Sequence, residues 1–410
     1  MAAGADSRLW RVAYEEESSW GEEQSMGSPI ELPVTGDRPD IGFELPQEEV
    51  NPTRRHAHDG VRDIPTVWGG TFSFTTLLTG LGSDPSGSIS SNTVIDLLEH
   101  ALGKKDVSSE GTEVDTAWSD GTSGDVVGGV FPNGALLRIG TSSPRDGRGN
   151  GAAYRLKENN GGSLELLTAT ESAPNAGDKV NAMGMVFPDE LPEGPVTPLR
   201  FLLASRSQQY IAHGCFIQGI SFSSFQTGQV PRVTFTVGVS WVERVSGQFS
   251  GTAPTRLTGA PIANGQFWHN DRGTSDFKQS KIRDCELNVE LNVTPVTGPG
   301  GASRNQGVVG AFRHSAPATM QFAVDAESAG TDTWGDWFRD GEGYKHVLYT
   351  LSAADKRSVA IYMPKVKPSG NVPIQEDMDG RNVQRIEVQA LTENDGSSDL
   401  EKAAFVLGMG

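Results

Sequence analysis

The 410-residue sequence has little cysteine, few cations and no long apolar run, and each shortage excludes a functional class. Two cysteines are too few for a disulfide scaffold or a four-thiolate zinc site. The sequence has 34 Lys and Arg and 52 Asp and Glu, which gives a formal net charge of −18. This excludes nucleic-acid binding through a basic surface, because such binding needs cations to displace counterions. No apolar run approaches the roughly 18 residues of a membrane span, so we expect no membrane insertion.

The sequence also lacks the motifs of common active sites, with no G-x-S-x-G, HExxH or kinase signature. His213 lies two residues before Cys215, but a catalytic thiol needs an adjacent base in an electropositive setting, and a buried thiol is the simpler interpretation. His56 and His58 have the spacing of a metal pair on a strand, yet neighbouring arginines disfavour a cation and favour a linker. We therefore predict no enzyme, no metal site and no cofactor.

Glycine, by contrast, is abundant: 50 residues of 410. An interior glycine costs a helix about 1 kcal/mol, so this content disfavours a helical protein. Apolar and polar residues alternate strictly over 233–241 and 285–293, which predicts strands with one buried and one polar face. Weaker alternation predicts further strands at 135–139, 153–157, 164–168, 216–222, 319–325, 346–351, 358–363 and 383–391. With glycine turns between them, these strands predict a mainly β protein, an antiparallel β-sandwich or barrel.

One helix is predicted beside the sheets. Val94, Ile95, Leu98, Ala101 and Leu102 form an apolar stripe at helical spacing. A glycine follows at once and supplies a stop. We expect this helix to flank the sandwich.

The chain is predicted to have an extended acidic N-terminal arm over 1–60 and a β domain over 61–410. The first 50 residues hold twelve Asp or Glu and three Arg, without a helical or strand period. Their large apolar residues, among them Trp10, Tyr14 and Trp20, argue against a simple disordered tail and predict contacts with another subunit. Residues at about 104–200 are rich in glycine and acid and predict an elaborated insertion. No repeat of 20–50 residues is visible, which disfavours a solenoid or propeller.

Several segments in order carry a family resemblance. They are 12–21, a helix ending in Ala-Leu-Gly at 101–103, the Gly-Cys-Phe-Ile stretch at 214–217 with the turn and strand to 241, and the closing segments 282–293, 305–307, 318–325, 359–365 and 383–391. Together they resemble the major tail tube proteins of long, non-contractile-tailed (siphovirus-like) bacteriophages. The resemblance covers about two-thirds of the chain, and residues 104–200 depart from it.

The resemblance implies a β-sandwich subunit that assembles into rings, usually hexameric, which stack into a tube that conducts DNA. It implies a virion protein, assembled in the cytoplasm of the bacterial host. The implied partners are other copies of the chain, the tape measure protein, the tail tip and tail terminator proteins, and phage DNA in transit. An acidic channel suits this role, because it repels phosphate.

Two groups of residues are candidates for that role. The arm residues Trp10, Tyr14 and Trp20 are predicted to contact the neighbouring ring. The polar residues of the two alternating strands are predicted to face the channel or the solvent: Thr234, Thr236, Ser240, Glu286, Asn288 and Glu290.

Two other classes stay open from the sequence. One is a surface-exposed β-sandwich binding module of a virion, a carbohydrate-binding or decoration protein, that stacks sugars on Trp334 or Trp337. These residues form an aromatic cluster with Phe338, which more often closes the end of a β core. The other class is a glycosidase with paired carboxylates, and 52 acids make chance pairs too common for the sequence to locate one.

Overall fold

A computed structural model describes most of the chain. The described residues are 10–21, 26–34, 39–44, 47–50, 62–65, 69–78, 93–106, 111–128, 131–140, 153–168, 170, 173–188, 194–205, 209–245, 262–271, 278–297, 308–325, 333–340, 343–353, 357–370, 375–378, 381–393 and 398–410. His56 and His58 lie outside them.

Strands dominate the described residues. The first fifteen are β1 (Arg11–Glu16), β2 (Ile30–Leu32), β3 (Asp40–Glu44), β4 (Gln47–Val50), β5 (Arg62–Pro65), β6 (Gly69–Leu77), β7 (Gly103–Asp106), β8 (Gly111–Glu113), β9 (Ser123–Asp125), β10 (Leu136–Gly140), β11 (Ala153–Asn160), β12 (Ser163–Leu166), β13 (Lys179–Ala182), β14 (Gly184–Pro188) and β15 (Gly194–Pro195). The second fifteen are β16 (Leu199–Ala204), β17 (Gln209–Ser223), β18 (Arg232–Val239), β19 (Trp241–Val245), β20 (Ile262–Asp271), β21 (Lys278–Ser280), β22 (Ile282–Glu290), β23 (Asn292–Thr297), β24 (Val308–Ser315), β25 (Ala318–Asp325), β26 (Lys345–Ala353), β27 (Ser358–Ser369), β28 (Gln375–Met378), β29 (Arg381–Ala390) and β30 (Val406–Met409). The helices are α1 (Thr93–Leu102), α2 (Thr333–Asp340) and α3 (Asp399–Lys402).

The prediction of a mainly β protein with antiparallel sheets is confirmed, since the pairings between these strands are antiparallel. The predicted helix is confirmed as α1, whose apolar stripe is buried. It packs against β2, β7, β14 and β17. Among the described residues, none of the helices has the length and apolar character needed to cross a bilayer.

The widest sheet, named here the front sheet, runs in the order β3, β6, β18, β17, β22, β25 and β29. The end of β27 and the short strand β28 both pair with β29 and form its last strand. The front sheet therefore has eight strand positions, with β3 at one edge and β27 and β28 at the other.

Two further sheets lie behind the front sheet. The first back sheet has the order β2, β1, β16, β17 and β19. The second has the order β21, β20, β26, β27, β30, β14 and β7. The main core fills the space between, with Phe72, Phe235 and Phe322 from the front sheet against Phe201 and Phe267 from the back sheets. The architecture is thus a sandwich with a divided back layer.

Two long strands join the layers. The first part of β17 pairs with β16 and β19 in the back, and its second part pairs with β18 and β22 in the front. The strand β27 does the same, with β26 and β30 behind and β29 in front. In β17 the change of sheet occurs beside Gly214, whose φ of +56° is unfavourable for residues with a Cβ.

The segment 104–200, predicted as an insertion, contains a small sheet of its own. This sheet spans only residues 111–182. Its order is β8, β13, β10, β11, β12 and β9. A bridge between Val114 and Val126 joins the two outer strands, with backbone hydrogen bonds on either side of it at 2.9 and 3.0 Å. The six strands therefore close into a barrel, which leaves no open edge. The flanking strands β7 and β14 belong to the second back sheet.

The barrel packs on the outer side of the second back sheet. Leu348 and Tyr362 point toward the barrel's core, whereas their strand neighbours Val347 and Ile361 point toward the main core. The layers therefore follow the order front sheet, main core, second back sheet, second core and barrel. The barrel and the front sheet lie on opposite sides of the molecule.

The chain contains the same arrangement twice. The first half pairs in the order β2, β1, β16, β17, β18, β6 and β3, and the second in the order β21, β20, β26, β27, β29, β25 and β22. Equivalent strands follow each other in the same order along the chain, and the helices α1 and α2 occupy equivalent places. The strands β19 and β30 each pair with the first part of the long strand. The front sheet thus consists of two four-stranded halves, joined by β17 and β22.

The structure differs from two of the predictions. The described part of the segment predicted as an extended arm forms strands, because β1 pairs along six residues with β16 and β3 pairs with β6. The two long alternating segments are each interrupted. One ends as β18 at Val239 and resumes as β19 at Trp241, and the other is divided at Leu291.

Candidate functional site

The outward side of the front sheet, named here the polar face, carries polar side chains across the widest sheet that the described strands form. Because side chains alternate along each strand, Phe235 and Leu287 point into the core, whereas Thr234 and Asn288 point outward. The strand register aligns such outward residues into one row across seven strands: Thr75, Thr234, Ser221, Asn288, Thr319, Gln389 and Lys367.

Two neighbouring pairs in the row are linked by hydrogen bonds between side chains. The hydroxyls of Thr75 and Thr234 lie 2.8 Å apart, and Ser221 donates to Asn288 Oδ1 at 2.7 Å. Hydroxyl and amide groups paired across strands stabilise the sheet along this row. The row therefore holds its shape while keeping a surface that water can wet.

Acidic residues outnumber basic residues on the polar face. The carboxylates are Asp40, Asp284, Glu286, Glu290, Asp325, Glu376 and Glu387, and the cations are Arg232, Arg283, Lys367 and Arg385. Two of the cations have acidic partners near the ends of β22 and β25. Arg283 donates to Asp325 at 2.8 Å, and Arg385 lies 4.0 Å from Asp284.

The middle of the face keeps its negative charge. Glu286 and Glu290 are exposed on β22. Glu387 accepts hydrogen bonds from Gln321 at 2.9 Å and Ser369 at 3.1 Å, both uncharged donors. Such donors hold the carboxylate in place without neutralising it, so the centre of the face presents fixed negative charge to whatever lies in front of it.

The sequence placed most of the candidate face residues here. Thr234, Thr236, Glu286, Asn288 and Glu290 all lie on the polar face. The sequence predicted no residue of β6, β25 or β29 as part of this face. The alternation that would have shown them is present, for example in Phe72 and Phe74 against the polar residues between them.

Ser240 differs from the prediction, because it is buried and does not lie on the polar face. The chain turns between β18 and β19 at this residue, so the alternation does not continue through it. Its hydroxyl donates to the carbonyl oxygen of Gly214 at 2.8 Å and accepts from Trp20 Nε1 at 3.2 Å. Ser240 therefore belongs to the crossing point of β17.

The three aromatic residues assigned to the arm contact the chain itself. Trp10 and Tyr14 are buried in the main core, where Tyr14 packs beside Phe201. Trp20 is half-buried against Phe216. The structure thus buries Trp10 and Tyr14 within their own subunit, which differs from the expected contact with a neighbouring ring.

A buried carboxylate fixes the segment that carries Trp20. Glu17 accepts hydrogen bonds from the backbone N–H of Gly21 at 2.8 Å and of Gly214 at 3.1 Å. Its other neighbour is the ring of His213, 3.4 Å away, which stacks on Trp241 with centroids 4.0 Å apart. These groups tie residues 17–21 across the outer side of the first back sheet.

Cys215, two residues after His213, lies in the main core. Burial raises the pKa of its thiol well above the usual value, and the charge of Glu17 raises it further. A thiol that stays protonated is not a nucleophile at neutral pH. The interpretation of Cys215 as a structural core residue therefore fits its surroundings.

The aromatic cluster is buried as well. Trp334 is 1% exposed and Trp337 is 6% exposed, so neither ring offers a flat surface to a sugar. The Lys345 ammonium lies 5.4 Å from the Trp337 ring and pairs with Asp271, whose pKa it lowers by donating a hydrogen bond. Helix α2 thus closes one end of the core with these rings.

A buried histidine lies beside this cluster. His269 contacts Trp334, and its Nε2 lies 2.7 Å from the Ser280 hydroxyl. Burial, with the charge of Lys345, lowers the pKa of His269 to about 4. The ring is therefore neutral at pH 7.

No protein-family model and no curated protein sequence matches this chain. The functional argument therefore rests on the polar face: a broad, wettable, net acidic surface of a sheet whose two edge strands have no outer partner among the described residues.

Proposed function

We propose that this chain is a structural subunit of a bacteriophage tail tube. Copies assemble into rings, the rings stack, and the polar face of each copy lines the channel through which DNA passes. The observation that carries the proposal is the polar face itself, which is net acidic and extends over all eight strand positions of the front sheet. The order of segments that resembles tail tube proteins supports the same function.

The charge of the face suits passage of DNA rather than binding. A DNA duplex carries about one negative charge per 1.7 Å of its axis. Fixed carboxylates such as Glu286 and Glu290 repel it, and no released counterions compensate. The hydroxyl and amide row offers hydrogen bonds to water, so the channel surface stays hydrated. A duplex can then slide without specific contacts.

The order of layers gives each part of the subunit a radial position. If the front sheet lines the channel, the six-stranded barrel lies on the outer surface of the tube. Its closed sheet has no edge that would draw in further strands. As a virion protein, the subunit assembles in the host cytoplasm with the tape measure, tail tip and terminator proteins as partners.

Negative-stain electron microscopy of the purified chain over a concentration series tests the proposal. Rings or hollow tubes with a central channel are the expected result. A dispersed monomer at every concentration up to the solubility limit contradicts it. A monomer that instead binds immobilised glycans would favour the surface binding module.

A further inference from the structure

The internal duplication produces two equivalent pairs of strand edges. One pair is joined within the chain, and the other has no partner strand among the described residues. Inside the chain, β17 of the first half pairs antiparallel with β22 of the second half, from Gly219–Glu290 to Phe222–Leu287. The strand equivalent to β17 is β27 with β28, and the strand equivalent to β22 is β3. Among the described residues, β3 pairs only with β6, and β28 pairs only with β29.

We infer that β3 of one copy pairs with the β27–β28 edge of the next copy, and that three copies close the ring. The inference rests on the proposed function and deepens it, because it names the contact and the number of copies. It repeats between chains the junction that β17 and β22 already make within one chain.

Strand direction permits this contact. The front sheet alternates in direction over eight positions, so its two edge strands run in opposite directions. A head-to-tail ring therefore continues the antiparallel order through every junction. Strand addition would also supply partners for the backbone groups of both edges, which are otherwise a site of uncontrolled association.

The width of the channel selects the number of copies. Three copies supply 24 strands, which at about 4.8 Å spacing and a tilt of about 40° close a barrel of about 48 Å backbone diameter. Side chains project about 5 Å inward on each side, which leaves about 38 Å for a duplex about 20 Å across. Two copies leave only about 22 Å, with little room for hydration, and six leave about 86 Å. Three copies replace the six that the family resemblance implies.

The duplication also predicts the register of the contact. When the two halves are aligned by their strand pairing, Ile41 of β3 and Leu287 of β22 occupy the same core position. Asp40 is then equivalent to Glu286. Continuing the β17–β22 register by one residue places Ser223 opposite Glu286. The equivalent of Ser223 is Glu376, since each lies across from an equivalent position of β18 or β29. Asp40 of one copy should therefore lie beside Glu376 of the next, where Arg385, 3.8 Å from the Glu376 carboxylate, supplies a cation between the two acids.

Cysteine cross-linking of the full chain tests this contact. Asp40 and Glu376 are exposed, and both native cysteines are buried, so the variant D40C/E376C gains two reactive thiols at low cost to folding. With a short bifunctional thiol reagent, assembled protein should give covalent species that end at three copies, about 131 kDa from 43.7 kDa per chain. Native mass spectrometry of the unmodified ring should give the same mass.

Matched variants separate the explanations. The variant S223C/E286C places the same thiols at the internal junction and should give a cross-link within one chain. The single variants D40C and E376C should give no ladder. Rings of another copy number, or rings of D40C/E376C that do not cross-link while S223C/E286C does, would overturn the inference and leave the proposed function intact. Absence of any ring or tube would overturn both.

Discussion

Reversing charge on the polar face should convert the assembled tube from one that DNA passes through into one that DNA binds. The variant E286K/E290K changes the charge by four units in each copy, and by twelve units in a ring of three. Both side chains are exposed, so folding should be nearly unaffected, within about 0.5 kcal/mol. If four to six of the new lysines contact phosphates, log Kd should depend on log salt with a slope of about 4–5. Affinity would then fall about 10²–10³-fold between 50 and 200 mM salt.

Fluorescence anisotropy with a short labelled duplex measures this, on tubes checked by electron microscopy. Unmodified tubes should leave the duplex free at 50 mM salt. The matched control is E113K/E165K, which makes the same change of charge on the six-stranded barrel, where the side chains are 52% and 44% exposed and pair with Lys179 and Lys157. Equal binding by the control would show that net charge alone decides the outcome. Tubes of E286K/E290K that leave DNA free would refute the reasoning that this face lines the channel.

Three other predictions concern stability. Replacing Glu17 with Ala leaves the N–H groups that it binds without partners and should cost about 3–5 kcal/mol in urea unfolding, whereas Glu16→Gln, at an exposed site, should change little. His269 has a lowered pKa of about 4, so the stability it contributes is complete above about pH 6.5 and falls as the pH drops to about 4, by about 3 kcal/mol. His346 shares this behaviour, because burial lowers its pKa to about 4 as well, so His269→Gln should reduce but not abolish the loss between urea titrations at pH 7 and 4.5, and an unchanged loss would contradict the assignment. Gly214→Ala forces a Cβ to 2.6 Å from its nearest neighbour at a φ of +56° and should cost roughly 2–4 kcal/mol, against almost nothing for Gly42→Ala, whose nearest contact is 3.5 Å.

The elements that the sequence predicted well are those with one buried and one wet side. The helix α1 and the strands β18 and β22 carry a clear period, because only one side of each meets the core. Strands buried on both sides carry none. All five residues of β14 and all four of β30 are buried, so their apolar runs hold no alternation from which to predict a strand.

Pairing between strands that lie far apart in the sequence could not be predicted either. The partner of β1 is β16, almost 190 residues later, and nothing local in either strand indicates the other. The sequence did not reveal the duplication for a related reason. The two halves share strand order and pairing, but their residues at equivalent positions differ. Gly42 and Asn288, for example, occupy equivalent positions on β3 and β22. The polar face was found only where the alternation is strict, and its other strands required the register.

The position of β30 has a consequence for the order in which the protein folds during synthesis. Val406–Met409 lies between β14 and β27, and Leu407 pairs with Val186, about 220 residues earlier. At about 5–20 residues per second, a ribosome needs about 10–45 s to go from one strand to the other. Throughout that interval the edge of β14 that β30 will cover has no partner. The nascent chain therefore presents an apolar strand edge for many seconds, and chaperone binding during translation should be strongest before residue 409 emerges.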